Sequence, residues 1–114
     1  QNGIEVLVIP GQFSMVTGEM HWDLITRFRA LDNQVYVAAC SPARNLEEGA
    51  PFLSWAHSRI VDPMGKIVSS AEFAPAIIYC DIDPNLIYST RKSIPTSTQK
   101  RLDIYEIKRV DKLQ

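Results

Sequence analysis

The chain alternates between two hydrophobic periods. Residues 4–9 (IEVLVI) form a short, largely β-branched apolar run that stops at Pro10-Gly11. A continuous run of that length predicts a strand covered on both faces. Residues 13–18 read as a loop. From about Glu19 the period lengthens: Leu24, Phe28, Leu31 and Val35 follow at steps of four, three and four, and Trp22 and Ile25 widen the stripe. That spacing predicts an amphipathic helix over 19–31 with one packed face. Glu19 and Asp23 would sit at its N-terminal dipole end, and Asp32-Asn33 would end it. Residues 35–40 are a second mostly apolar strand, stopped by Pro42. Strand, helix and strand in that order predict a right-handed crossover and a parallel pair.

The second half changes character. After a polar loop over 44–51, residues 52–61 and 66–69 flank Asp62-Pro63-Met64-Gly65. Asp, Pro and Gly stand at the first, second and fourth positions preferred in a type I turn, so a hairpin is predicted. Residues 76–82 read as a further strand. Asp83-Pro84 fits an N-cap followed by proline at the first helical position, opening a short helix to about Lys92 that Pro95 ends. The remaining stretch, 93–114, has no convincing period and is expected to be an extended C-terminal arm. The fold class is α/β, parallel early and antiparallel late.

Composition changes this picture little. A chain of 114 residues that is 46% hydrophobic and 22% charged is an ordinary globular domain or a large piece of one. Its apolar runs are too short to span a bilayer and no signal peptide opens it, so no membrane partner is expected. It begins with Gln1 almost directly on a strand, as a fragment or processed chain would. Two cysteines make no disulfide framework and point to a reducing compartment. The net charge of -1 argues against a nucleic-acid partner. Charge is uneven: seven Lys/Arg against three Asp/Glu from residue 91 onward give +4, and five against ten before it give -5. The basic end reads as a solvated or interface arm.

Candidate chemistry is sparse. The chain has no Gly-rich phosphate loop, no dinucleotide fingerprint and no Gly-x-Ser-x-Gly elbow. His21 and His57 lie 36 positions apart without a second ligand nearby, so neither a metal nor a cofactor is expected. Cys40 ends the second strand just before Ser41-Pro42. A nucleophilic thiol needs a lowered pKa, whereas apolar burial on a strand raises it, and Arg44 lies beyond Pro42. Cys40 is therefore expected to be a small core residue, and Cys80 likewise.

Three stretches carry a resemblance: RALDNQVYVAACSPARN, SWAHSRIVDPMGKIVSSA and AIIYCDID, in that order, resemble the C-terminal half of the nitrilase (carbon–nitrogen hydrolase) superfamily. IPGQFSMVTGEMHW, SPAR and IPTSTQKRLDIY resemble its omega-amidase branch. Each motif alone is a common one, and it is their order over nearly all of residues 3–106 that is specific. The resemblance implies the C-terminal half of an αββα sandwich, with residues 1–114 the C-terminal portion of a single hydrolase domain. It implies a hydrolase of small ω-amides of 2-oxo dicarboxylic acids, 2-oxoglutaramate and 2-oxosuccinamate, giving ammonia and the oxo acid. The reaction runs through a thioester on a Glu-Lys-Cys triad that precedes the matched segment, so this chain carries no catalytic residue and by itself is expected to be inactive. Phe13 and Thr17 match positions that line the substrate pocket, and His21-Trp22 continue the pattern. Core packing for Phe13 and helix capping for Thr17 stand as alternatives. Gln12 and Ser14-Met15 depart from the branch, where Ala and Asn-Leu stand. A homodimer with contacts through the 19–31 helix and the arm is implied, as is a cytoplasmic location with mitochondria as a second setting. Two rival readings remain: a non-catalytic truncated form that only binds or dimerises, and a thiol enzyme using Cys40.

Overall fold

A computed structural model describes residues 3–106. β1 (Val6–Pro10), α1 (Met15–Asn33) and β2 (Tyr36–Cys40) form the crossover unit, and β1 and β2 pair in parallel with Val6 opposite Tyr36. β3 (Arg59–Val61) runs antiparallel to β2, and β4 (Ile67–Ser70) antiparallel to β3, with a bulge between Ile60 and Val61. The sheet order is therefore β1-β2-β3-β4, parallel first and antiparallel after, as the sequence predicts. The hairpin turn is closed by Gly65 N–H donating to Asp62 O at 2.9 Å. The Asp62 carboxylate also accepts from Met64 N–H at 2.8 Å and Lys66 N–H at 3.0 Å. Gly65 takes φ +79°, the left-handed region where only glycine rests without strain. Such local closure explains why this hairpin is readable from four residues.

α1 starts earlier than its period suggests, taking in most of the stretch expected as a loop. Ser14 is the N-cap, and its hydroxyl accepts from Thr17 N–H at 3.2 Å. Glu19 and Asp23 consequently lie past the first turn. Asp23 instead pairs with the largely buried Arg59 at 2.6 Å, tying helix to β3. The packed face also differs. Gly18, Trp22, Thr26 and Ala30, one residue in four, are buried, while Leu24 and Phe28 are 65% and 53% exposed and Leu31 also faces outward. The small side chains of Thr26 and Ala30 let the helix lie close on the sheet, Gly18, with no side chain, admits Trp55, and Trp22 fills the remaining space. The larger apolar residues form a stripe on the outer side.

Trp22, Ala30, Val35, Val37, Ala39 and Val61 make the core, with Leu7, Ile9, Phe13, Trp55 and Ile67 packed against it. This face of the sheet is the one α1 covers. The expectation that β1 is covered on both faces fails: Val6 and Val8 are exposed, because α1 reaches only the Leu7–Ile9 side. α2 (Pro84–Ser93) begins as predicted, Asp83 capping Asn85 N–H at 2.9 Å with Pro84 next. It reaches the sheet near its start. Asp83 N–H donates to the Tyr36 hydroxyl at 3.3 Å, and Arg91 donates to Ile4 O at 2.9 Å. Residues 76–82 are not a strand. An apolar run becomes one only where a neighbour takes up its N–H and C=O groups, and among the described residues none does, leaving Ile77 and Tyr79 78% and 79% exposed. Residues 95–106 form turns, with Arg101 and Asp103 paired at 2.6 and 2.7 Å. That guanidinium holds the Asp103 carboxyl below the usual carboxylate range. Residues 107–114 of the expected arm lie outside the described residues. Among those described, no helix is long and apolar enough to cross a membrane.

Candidate functional site

In open α/β sheets, ligands bind beyond the carboxyl ends of parallel strands. Here that region is the turn leaving β1. Gly11 N–H continues the ladder by donating to Cys40 O at 2.9 Å, and the chain then passes through Gln12 and Phe13 into the α1 cap. Phe13 is half-buried. Its ring meets Trp22 at 5.3 Å between centroids, tilted by 56°, and its carbonyl accepts from Trp55 N–H at 2.9 Å. Ser14 pairs with Ser54 in an isolated antiparallel bridge. The Thr17 hydroxyl lies 2.9 Å from that of Ser14 and is exposed. Capping therefore falls to Ser14, and the Thr17 side chain is left facing outward on the first turn. Phe13 both packs on the core and borders this surface.

Residues 54–57, which enter β3, pack directly against this turn. A Cβ built on Gly18 would fall onto the Trp55 side chain, so only glycine admits the indole this close to α1. The Trp55 ring in turn lies 4.8 Å from that of His57. Trp22 Nε1–H donates to His57 O at 2.8 Å. Ala56 and His57 both adopt positive φ, +65° and +59°, a costly backbone for two residues that carry a Cβ. The Ser54 hydroxyl is buried and makes no hydrogen bond among the described residues. The sequence offers Thr17 as the cap of a helix opening at Glu19, whereas the helix opens at Met15 and Ser14 caps it. The meeting of Gly18 with Trp55, 37 residues apart in the chain, had no signal in sequence.

Cys40 is not a core residue. Strand alternation puts it, with Tyr36 and Ala38, on the sheet face away from α1, where its side chain is exposed. It borders a cavity of about 260 Å³ shared with His57 and Glu72, whose imidazole Nδ1 and carboxylate stand 3.7 Å apart. Cys80 is half-buried rather than enclosed. His21, on the outer side of α1, is exposed. Among the described residues no three His, Cys, Asp or Glu side chains converge as metal ligands would.

The chain is similar to known proteins. A model of the carbon-nitrogen hydrolase family matches residues 1–92. The omega-amidase NIT3 of Saccharomyces cerevisiae is 46% identical over 105 residues, 92% of this chain and 35% of that protein. The omega-amidase NIT2 of Homo sapiens is 45% identical over 107 residues, 94% of this chain and 38% of its own length. The crystal structure of yeast Nit3, a member of branch 10 of the nitrilase superfamily, superposes with a TM-score of 0.81 over 87% of this chain and 36% of that one, at 46% identity. The Caenorhabditis elegans NitFhit structure gives 0.83 over 91% of this chain and 25% of its own, at 30% identity. The chain thus spans about a third of the length of the curated relatives it matches.

Proposed function

The chain belongs to the carbon-nitrogen hydrolase family, and on that premise we propose that it forms one wall of the substrate site in an omega-amidase-like hydrolase. It is read as the C-terminal portion of a single hydrolase domain. The substrates are small ω-amides of 2-oxo dicarboxylic acids, 2-oxoglutaramate and 2-oxosuccinamate. The observation that supports this reading is the turn after β1: Phe13 lies in it and Thr17 on the first turn of α1 that follows, past the carboxyl end of a parallel strand pair, in a chain that shares 46% identity with an omega-amidase. The exposed Thr17 hydroxyl, which shares one hydrogen bond with Ser14, keeps further hydrogen-bonding capacity for a polar group of the substrate, and the Phe13 ring borders its carbon chain.

Nucleophile, base and oxyanion stabiliser are assigned to a Glu-Lys-Cys triad outside these residues. The thiolate adds to the amide carbonyl, the tetrahedral intermediate expels ammonia, and water then cleaves the thioester to release the oxo acid. No metal or cofactor takes part in this scheme. Cys40 has no part in it either, since it lies on the far face of the sheet from Phe13. The test is Thr17→Val and Phe13→Ala in a hydrolase chain of the relatives' length that carries these residues. KM for 2-oxoglutaramate is expected to rise about tenfold in Thr17→Val, on the scale of one lost hydrogen bond, and by a similar factor in Phe13→Ala from lost apolar contact. Unchanged KM in both would overturn the reading.

The same premise gives the outer stripe of α1 a role. Val16, Met20, Leu24 and Phe28 are exposed large apolar side chains spaced by four, a surface that soluble chains usually cover. The proposed cover is a second copy of the chain, giving a homodimer. Leu24→Glu with Phe28→Glu in the complete hydrolase is expected to yield a monomer by light scattering. A dimer that survives both charges would rule the stripe out as the contact.

A further inference from the structure

Arg44 is spent in an unusual way. It leaves β2 just past Pro42, yet neither of its guanidinium bonds goes to a carboxylate. Nε donates to Ser54 O at 3.0 Å and Nη2 to Trp55 O at 3.1 Å, two successive carbonyls taken by one planar fork. The guanidinium carbon stands 6.0 Å from the centroid of the Trp55 ring and 5.1 Å from that of Phe73. Its own N–H donates to Phe73 O at 2.9 Å. One half-buried cation therefore joins the exit of β2, the entry to β3 and the chain leaving β4. A lysine could take one carbonyl at a time and could not hold two in a plane.

What Arg44 holds is the segment that packs on the start of α1, beside Thr17. Ser54 bridges to Ser14, Trp55 N–H is bonded to Phe13 O, and the Trp55 side chain lies on Gly18, the neighbour of Thr17. A small outward movement of residues 54–55 would pull on Phe13 and Ser14 through these bonds and shift the first turn of α1. We propose that Arg44 is a positioning residue for substrate binding: by fixing Ser54 and Trp55 it sets where Phe13 and Thr17 stand. This rests on the reading of Phe13 and Thr17 as substrate-lining residues. Arg44 touches neither the substrate nor the reacting atoms, so its loss should weaken binding and leave the chemical step nearly intact.

The experiment uses a complete hydrolase chain carrying these residues, assayed for ammonia release from 2-oxoglutaramate at a temperature where each variant is folded by circular dichroism. Arg44→Ala is expected to raise KM about tenfold while kcat changes less than about threefold. Arg44→Lys, which keeps the charge and the stem and so protects the fold, is expected to raise KM nearly as much, because the planar fork is lost. Tryptophan emission should shift to longer wavelength in Arg44→Ala and show no such shift when Trp55→Phe is already present. Thr17→Val and Phe13→Ala, measured alongside, separate the two ideas. If either raises KM while both Arg44 variants leave it unchanged, the positioning role is overturned and the substrate wall stands. If neither Thr17→Val nor Phe13→Ala changes KM, the substrate-lining reading fails and this inference fails with it. Full restoration of KM by lysine would also overturn the inference, since charge alone would then suffice.

Discussion

On the face of the sheet turned toward α1, Val37, Ala39 and Val61 are buried and Leu7 and Ile9 pack against them; on the other face, one residue along the same strand, Val6 and Val8 are 40% and 65% exposed. The side chains are of one kind. What differs is the layer above them. α1 brings Trp22 and a line of small residues onto the first face, whereas α2 touches Tyr36 through Asp83 and the residues leading into β1 through Tyr88 and Arg91. In an αββα sandwich each sheet has one helix-covered face and one face that meets the other sheet. On the proposed reading of the chain as part of such a sandwich, the Val6, Val8 and Cys40 side is the one a second sheet would cover.

Removing the filler of the first face should have the largest effect. Trp22→Ala deletes a fully buried indole and its bond to His57 O, and is expected to cost about 4 kcal/mol by urea unfolding. A loss below about 1 kcal/mol would mean that α1 does not depend on this contact. Val37→Ala, at the centre of the same face, should cost about 2 kcal/mol.

The second face sharpens the comparison, because its response depends on context. Val8→Ser in the 114-residue chain should change stability by less than about 0.5 kcal/mol, as exposed positions do. Within a complete hydrolase chain the same change should cost about 1.5 kcal/mol, since the second sheet would bury it. Equal, small effects in both settings would show that no layer covers this face. The smallest effect is expected at Cys40. Cys40→Ala in the complete chain should keep kcat within about twofold and cost less than about 1 kcal/mol, because it is a small apolar swap even where the face is covered. A hundredfold loss of kcat with the fold intact would make it the nucleophile after all.

The sequence was most legible where structure is fixed locally. The Asp62–Gly65 turn and the Asp83-Pro84 helix start each satisfy their own backbone groups within a few residues, so their signals lie side by side in the chain. Parallel pairing of β1 and β2 was legible as well, because a helix between two strands leaves little choice of connection. Errors arose where a neighbour decides. The period of α1 was readable, but two apolar stripes compete on it. The small one, Gly18, Thr26 and Ala30, won the core because it allows close approach to the sheet and, at Gly18, to Trp55. The run at 76–82 has strand composition and no partner strand among the described residues. Cys40 follows an apolar run, yet alternation turns it to the less covered face. At the site, Phe13 and Thr17 were singled out through resemblance, whereas Trp55 and Arg44 gained their place only from contacts with distant residues.

Ammonia release from 2-oxoglutaramate tests the account most directly, measured side by side for the 114-residue chain and for a complete hydrolase chain containing it. The account predicts turnover by the complete chain and none above buffer by the 114 residues alone, because they supply a substrate wall without the reacting groups. Heat-sensitive release by the pure 114-residue chain, or none by the folded complete chain, would contradict it.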